Sequence, residues 1–159
     1  MIFITLGSQK FQFNRLLEEV DKLIEQGKIT EEVFAQSGYS YYEPENYRVK
    51  NFLDRDEFVR IMSKCNKVIT HGGTGAIIGA VKQGKKVIAV PRLAKYGEHV
   101  DDHQLQIINQ FQKMNFIVGI YEVGELENII KKVDNIKFSK YESNTSKIIN
   151  SIEKFIELS

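Results

Sequence analysis

Short, largely apolar runs alternate along this chain with segments of helical periodicity. Residues 2–6 form such a run, ended by Gly7 and Ser8, as expected of a strand buried on both faces. Phe13, Leu16, Leu17, Val20, Leu23 and Ile24 then recur on one helical face, and Gly27 supplies a stop. The same reading gives strands at 33–36, 47–52, 67–70, 87–90 and 116–120. Helices are expected at 54–65, 74–83, from about 102 to 114, at 125–133 and at 142–158. Asp54 and Glu57 form a capping-box pattern before the second helix. In the last helix Ile148, Ile149, Ile152, Phe155 and Ile156 share a face, which either covers the sheet or docks on a partner. Strands that alternate with helices in this way predict an open, doubly wound parallel α/β sheet with helices on both faces.

The length, 159 residues, fits one domain over 1–159, and no repeat or linker divides it. The hydrophobic share of 42% is enough for a real core. A formal net charge of +1 gives no basic footprint, so nucleic acid is not an expected partner. Cys65 is the single cysteine and has no internal disulfide partner, which fits a reducing compartment. It reads as a buried, inert thiol. The apolar start lacks a basic flank and a cleavage pattern, and no run approaches the roughly 20 residues of a membrane helix. A cytoplasmic chain is expected, meeting a membrane only through a partner or a surface face.

In open parallel sheets ligands bind beyond the carboxyl ends of the strands, near the point where strand order reverses. Three loops fall there. The first is Gly7-Ser8. The second is His71-Gly72-Gly73-Thr74-Gly75, which opens straight into a helix. Its glycines permit close approach of the backbone to a ligand, and free N–H groups with the helix dipole favour a diphosphate. Thr74 either caps the helix or donates to a phosphate oxygen. A plain tight turn is the alternative. No Walker lysine follows. A reductase reading, with Arg92 on a cofactor 2′-phosphate, suffers because the glycines follow the fourth strand rather than the first. The third loop clusters Glu98, His99, Asp101, Asp102, His103 and Gln104. It suits a hydroxyl-rich ligand. It also reads as a metal site built on His99, Asp101 and His103, which helical spacing would spread apart, or as a charged helix start.

Residues 70–75 (Thr-His-Gly-Gly-Thr-Gly), 84–92 (Gly-Lys-Lys-Val-Ile-Ala-Val-Pro-Arg) and 97–104 (Gly-Glu-His-Val-Asp-Asp-His-Gln) resemble the C-terminal, donor-binding half of the GT-B glycosyltransferases related to the enzyme that adds N-acetylglucosamine to lipid I. The resemblance runs from residue 1 to about 120. It is greatest to stand-alone versions of that half: the catalytic subunit of the two-component dolichol-linked N-acetylglucosaminyltransferase, and bacterial capsule and exopolysaccharide transferases. It implies a Rossmann-like fold and a single GT-B C-terminal-type domain. It further implies inverting transfer from a UDP-sugar to a polyprenyl-diphosphate-linked saccharide, with no cofactor and no obligatory metal. A separate membrane-anchored protein would supply the acceptor domain, holding the chain at the inner face of the plasma membrane.

The resemblance sets the diphosphate between Gly7-Ser8 and Gly72–Gly75, with His71 beside it, donating a hydrogen bond or carrying charge. It sets Phe52 and Leu53 near the uracil, and Asp102, His103 and Gln104 with the donor sugar. Arg92 joins the groups that stabilise the leaving diphosphate. Glu98 or His99 is the in-chain candidate for the base, the partner the other source. The family's ribose-gripping glutamate is here Gly79, for which close helix-to-strand packing is the structural alternative. A donor-binding subunit without chemistry of its own is therefore the competing function. The sugar, galactose or N-acetylglucosamine, has no motif that reads it.

Overall fold

The computed structural model describes residues 1–142 together with Lys147, Asn150, Ser151 and Lys154. Among these residues six strands form one sheet: β1 (Ile2–Thr5), β2 (Val33–Gln36), β3 (Arg48–Lys50), β4 (Lys67–Thr70), β5 (Lys86–Ala89) and β6 (Val118–Gly119). Their order is β3-β2-β1-β4-β5-β6, and every neighbouring pair is parallel. The helices are α1 (Asn14–Glu25), α2 (Arg55–Lys64), α3 (Thr74–Lys82), α4 (His103–Lys113) and α5 (Leu126–Lys132).

Alternation along each strand sorts the core into two layers. Ile2, Ile4, Ile69 and Ile88 face α1 and α5, where Leu16, Leu17, Val20, Leu126 and Ile130 are buried. Phe3, Val68, Val87 and Ala89 face α2, α3 and α4, meeting Ile61, Met62, Ile77, Ala80, Ile108 and Phe111. Each such large side chain withdrawn from water stabilises the fold by roughly 1.5–3 kcal/mol before entropy is counted. The doubly wound expectation thus holds. The edge strand β3 is shorter than expected and places the exposed Arg48 and Lys50 where charge discourages further strand pairing. The expected strand at 116–120 keeps ladder geometry only at Val118–Gly119, although Ile120 N–H still donates to Ala89 O at 2.9 Å. The capping box is half made. Asp54 accepts from Glu57 N–H at 2.8 Å, while the Glu57 carboxylate turns to Lys50 Nζ at 2.9 Å.

The expected terminal helix lies mostly outside the described residues, its apolar face included. Lys147, Asn150, Ser151 and Lys154 are helical. No helix among the described residues is long and apolar enough to cross a membrane.

Strand order reverses between β1 and β4, so the turns that leave these two strands separate and open a crevice. Thr70 Oγ1 donates to Thr5 O at 2.9 Å and ties the strand ends beneath it. The tyrosine-rich loop at 37–46 closes one flank and is pinned to α1. Asn14 Oδ1 accepts from the N–H groups of Tyr41 and Tyr42, both at 2.9 Å. Burial works against charge on Asp21, yet donors from Glu45 N–H, Tyr42 Oη and Asn46 hold its carboxyl below the usual range.

Candidate functional site

The crevice is walled by glycines because neighbouring groups stand where side chains would be. Gly7 has φ 71°, a left-handed conformation that favours glycine. A Cβ there would lie 2.8 Å from His71 Nε2, and one on Gly73 would lie 2.2 Å from Cε1 of the same ring. One on Gly72 would lie 2.5 Å from Gln104 Cβ. Part of the glycine signal therefore makes room for the protein's own His71 and Gln104. Gly75 differs: a Cβ there would meet nothing within 4 Å. Thr74 is the first helical residue rather than the cap, which is Gly73 and has no side chain to cap with. The N–H groups of Thr74, Gly75 and Ala76 have no protein acceptor among the described residues, the arrangement that attracts an anion. Gly72 is excluded from that row, because its N–H donates to Gln104 Oε1 at 2.9 Å. Ser8 stands exposed across the crevice.

Behind the glycines lies a closed polar knot. Gln104 Oε1 also accepts from Arg92 N–H at 3.0 Å. Gln104 Nε2 and Arg92 NH1 each lie 3.1 Å from His71 Nδ1. Arg92 NH2 donates to the carbonyls of Leu6 and Phe11 at 3.0 and 3.3 Å. Burial first, then the nearby guanidinium, pulls the His71 imidazole down to about 3. Burial lowers Arg92 to about 10, still cationic at neutral pH. Three expectations change accordingly. His71 is neutral, so it does not carry charge to the leaving group. Arg92 is 0% exposed and acts from behind the site rather than on a ligand. Gln104 is buried with both ends of its amide engaged, and does not reach sugar hydroxyls.

The charged loop divides in two. Glu98 is 1% exposed. Its Oε1 accepts from Arg15 NH2 and Leu93 N–H, both at 3.1 Å, and its Oε2 from Arg15 Nε at 3.0 Å. A carboxylate so engaged has no free oxygen for an acceptor proton, and Glu98 is withdrawn as a base. Asp102 Oδ1 accepts from Ala94 N–H at 2.9 Å and braces the loop. His99 stacks on Phe11, ring centroids 5.0 Å apart, with Nδ1 3.2 Å from Asp101 Oδ1. His103 is half exposed, its Nδ1 3.5 Å from the other Asp101 oxygen. The N–H of His103, above all, holds Asp101 below the usual carboxylate range. Among the described residues no three His, Cys, Asp or Glu are placed to hold a metal ion.

Phe52 is exposed and packs edge-on against Tyr39, centroids 5.4 Å apart, with the half-buried Leu53 beside it. Gly79 faces outward into a groove of about 220 Å³ between α2 and α3, lined by Phe58, Val59, Met62 and Ser63. A Cβ there would meet nothing within 4 Å, so close helix-to-strand packing does not explain this glycine. Arg15, Phe11 and Gly38 complete the site and carried no signal in the sequence. Arg15 sits in the polar spacing of α1, and Gly38 looks like any loop glycine. A Cβ on Gly38 would lie 2.7 Å from Gly7 O.

A 3-2-1-4-5-6 parallel sheet with bare helix amides at its switch point defines a Rossmann-like domain. It has the architecture of the C-terminal half of GT-B glycosyltransferases. The chain belongs to the glycosyltransferase family 28 C-terminal domain family, whose profile matches residues 1–158. Over 83 residues, 52% of this chain, it is 34% identical to the UDP-N-acetylglucosamine transferase subunit ALG13 of Candida albicans (strain SC5314 / ATCC MYA-2876). That match spans only 27% of the relative. Solved structures share the fold at low identity. The glycosyltransferase of kitacinnamycin superposes with a TM-score of 0.64 at 14% identity, covering 98% of this chain and 38% of that one. SnogD from Streptomyces nogalater gives 0.57 at 16%, again covering 98% and 38%. The solution structure of ALG13 gives 0.60 at 16%, covering 98% and 94%.

Proposed function

We propose that this domain binds a UDP-sugar and is the donor half of an inverting glycosyltransferase. The acceptor is a polyprenyl-diphosphate-linked saccharide, held by a separate membrane-anchored subunit at the cytoplasmic face. Capsule or exopolysaccharide synthesis is the setting, with galactose or N-acetylglucosamine as the sugar. The observation that carries this is the row of free N–H groups at Thr74, Gly75 and Ala76, which follows directly on Gly73, where the His71 ring lies between Gly73 and the Gly7 turn. An acceptor hydroxyl attacks the anomeric carbon, the glycosidic bond to the diphosphate breaks, and UDP leaves. Charge grows on the diphosphate, where fixed amides and the α3 dipole lower its energy without reorganising. Ser8 closes the diphosphate from the opposite turn, Phe52 and Leu53 form the base corner, and Asp102 and His103 border the sugar. Two observations favour a partner. The matched relative is itself called a subunit. Large exposed apolar side chains, Tyr39, Tyr41, Phe52, Tyr96 and Val100, lie on loops that follow strand ends.

Transfer assays with purified chain, partner-containing membranes and labelled UDP-sugars test the reading. Sugar incorporation that needs both components supports it. UDP failing to raise the melting temperature overturns donor binding. A second reading, donor binding without chemistry in this chain, is favoured by the clamped Glu98 and by Gly79. It makes His99 the decisive residue. Under the catalytic reading His99→Ala lowers kcat about 100-fold. An unchanged rate would move the base to the partner.

A further inference from the structure

We infer that Arg92 and Gln104 are positioning residues that lock His71 in one neutral tautomer, with its single proton on Nε2 and directed into the crevice. The pairing of donors with acceptors requires it. Gln104 Oε1 receives two backbone N–H groups, from Gly72 and Arg92. Backbone N–H groups only donate, so the amide orientation is fixed and its NH2 end must face His71. That NH2 and Arg92 NH1 both reach Nδ1 at 3.1 Å. Neither has a lone pair to offer. Nδ1 must accept, and the proton belongs on Nε2.

Nε2 has no protein acceptor among the described residues. The one side-chain polar atom there that is both enclosed and unpartnered is Arg92 Nε, so Nε2 is not sealed from solvent. It looks out between Gly7 and Gly73, where any Cβ would obstruct it. The crevice thus presents one fixed imidazole N–H, which selects a ligand acceptor at that point. This rests on the proposed function, under which the acceptor is a phosphoryl oxygen of UDP. The charged and titratable groups facing His71 are Arg92, from the turn after β5, and His99, from the charged loop; Glu98 acts on Arg92 from further back. Among the described residues the Arg92 guanidinium meets carbonyls, the imidazole and the Phe13 face, and no carboxylate lies within ion-pair distance. Its charge therefore lies beneath the crevice uncompensated by direct contact. The site gains an anion preference that acid and base do not switch through His71.

Long-range proton–nitrogen NMR on the labelled chain decides the matter, with His71→Asn assigning the ring. Expected in the free protein is an unprotonated Nδ1 and a protonated Nε2, unchanged between about pH 5 and 8. A proton on Nδ1, or titration of His71 in that window, overturns the lock. In Gln104→Glu an acceptor oxygen replaces the donor NH2 at Nδ1. His71 should then take up a second proton within the window, and UDP affinity should become pH-dependent by roughly tenfold. A folded Gln104→Glu whose His71 keeps the wild-type pattern overturns the positioning role. If that variant does not fold, the wild-type spectrum still decides. Addition of UDP should shift the Nε2 proton. An unmoved Nε2 proton with the tautomer intact leaves the lock standing and overturns the assignment of UDP to the crevice.

Discussion

The knot under the glycine turn and the loop at 97–103 hold comparable numbers of polar groups and treat them in opposite ways. In the knot, His71, Arg92 and Gln104 are buried and satisfy one another and the backbone. In the loop, Glu98 alone is drawn inside, while His103 and Asp101 stay near water. Polar density along a chain does not by itself mark ligand contact. What matters is how many donors and acceptors remain after the protein has used its own. In the knot the remainder is one imidazole N–H open to the crevice, beside the enclosed Arg92 Nε–H. In the loop it is the outer edge of His99 and His103.

The largest effect is expected at the ion pair that ties the loop to α1. Glu98→Ala leaves Arg15 facing a void and should destabilise the fold by about 3 kcal/mol, measured by urea unfolding. A loss below about 1 kcal/mol would mean that the pair is mainly solvated. The next effect is one of pH. His71 is held at about 3, below its ordinary 6.5, so the unfolded chain binds the extra proton. Stability is fully present above about pH 6.5 and is lost as pH falls toward 3. The expected loss is ~2 kcal/mol between pH 6.5 and 5, and His71→Asn should remove it.

A pair of glycine variants sharpens the comparison further. Gly73→Ala drives a methyl into the His71 ring and should cost about 2 kcal/mol of stability. Gly75→Ala meets open space inside a helix and should be neutral or stabilising by up to about 1 kcal/mol. Thermal melts of both settle the order. A change in binding rather than in stability is expected at the α2–α3 groove. Gly79→Glu has room for its side chain and, if the ribose lies there, should tighten UDP binding roughly tenfold by calorimetry, about 1.4 kcal/mol.

The sheet was legible because its signal is local. Apolar runs such as 2–6 and 67–70, split by helical periodicity, leave few alternatives once crossovers must be parallel. The two glycine turns were legible as loops that follow strands, whereas the switch point between β1 and β4 depends on a strand order that the sequence does not show. The roles of Glu98, Arg92 and Gln104 did not follow, because which polar group is spent inside the protein is a tertiary fact. Glu98 and Asp102 have the same character in the sequence, yet Glu98 meets Arg15 from a helix 83 residues away while Asp102 caps a neighbouring N–H. Arg15 lies one position off the apolar stripe of α1, where charge normally means solvent, and nothing local announces its partner. Gly79 was readable as a departure from the family pattern, but its outward direction needed the packing of α2 on α3.

Gly38 pressing on the carbonyl of Gly7 has a mechanical outcome. The turns that leave β1 and β2 meet there with no room for a side chain between them, so the loop that carries Tyr39 has no space to close further onto the first turn. Under the proposed function, a nucleotide bound there would span a gap whose closure that contact limits, and little loop ordering would be lost on the protein side.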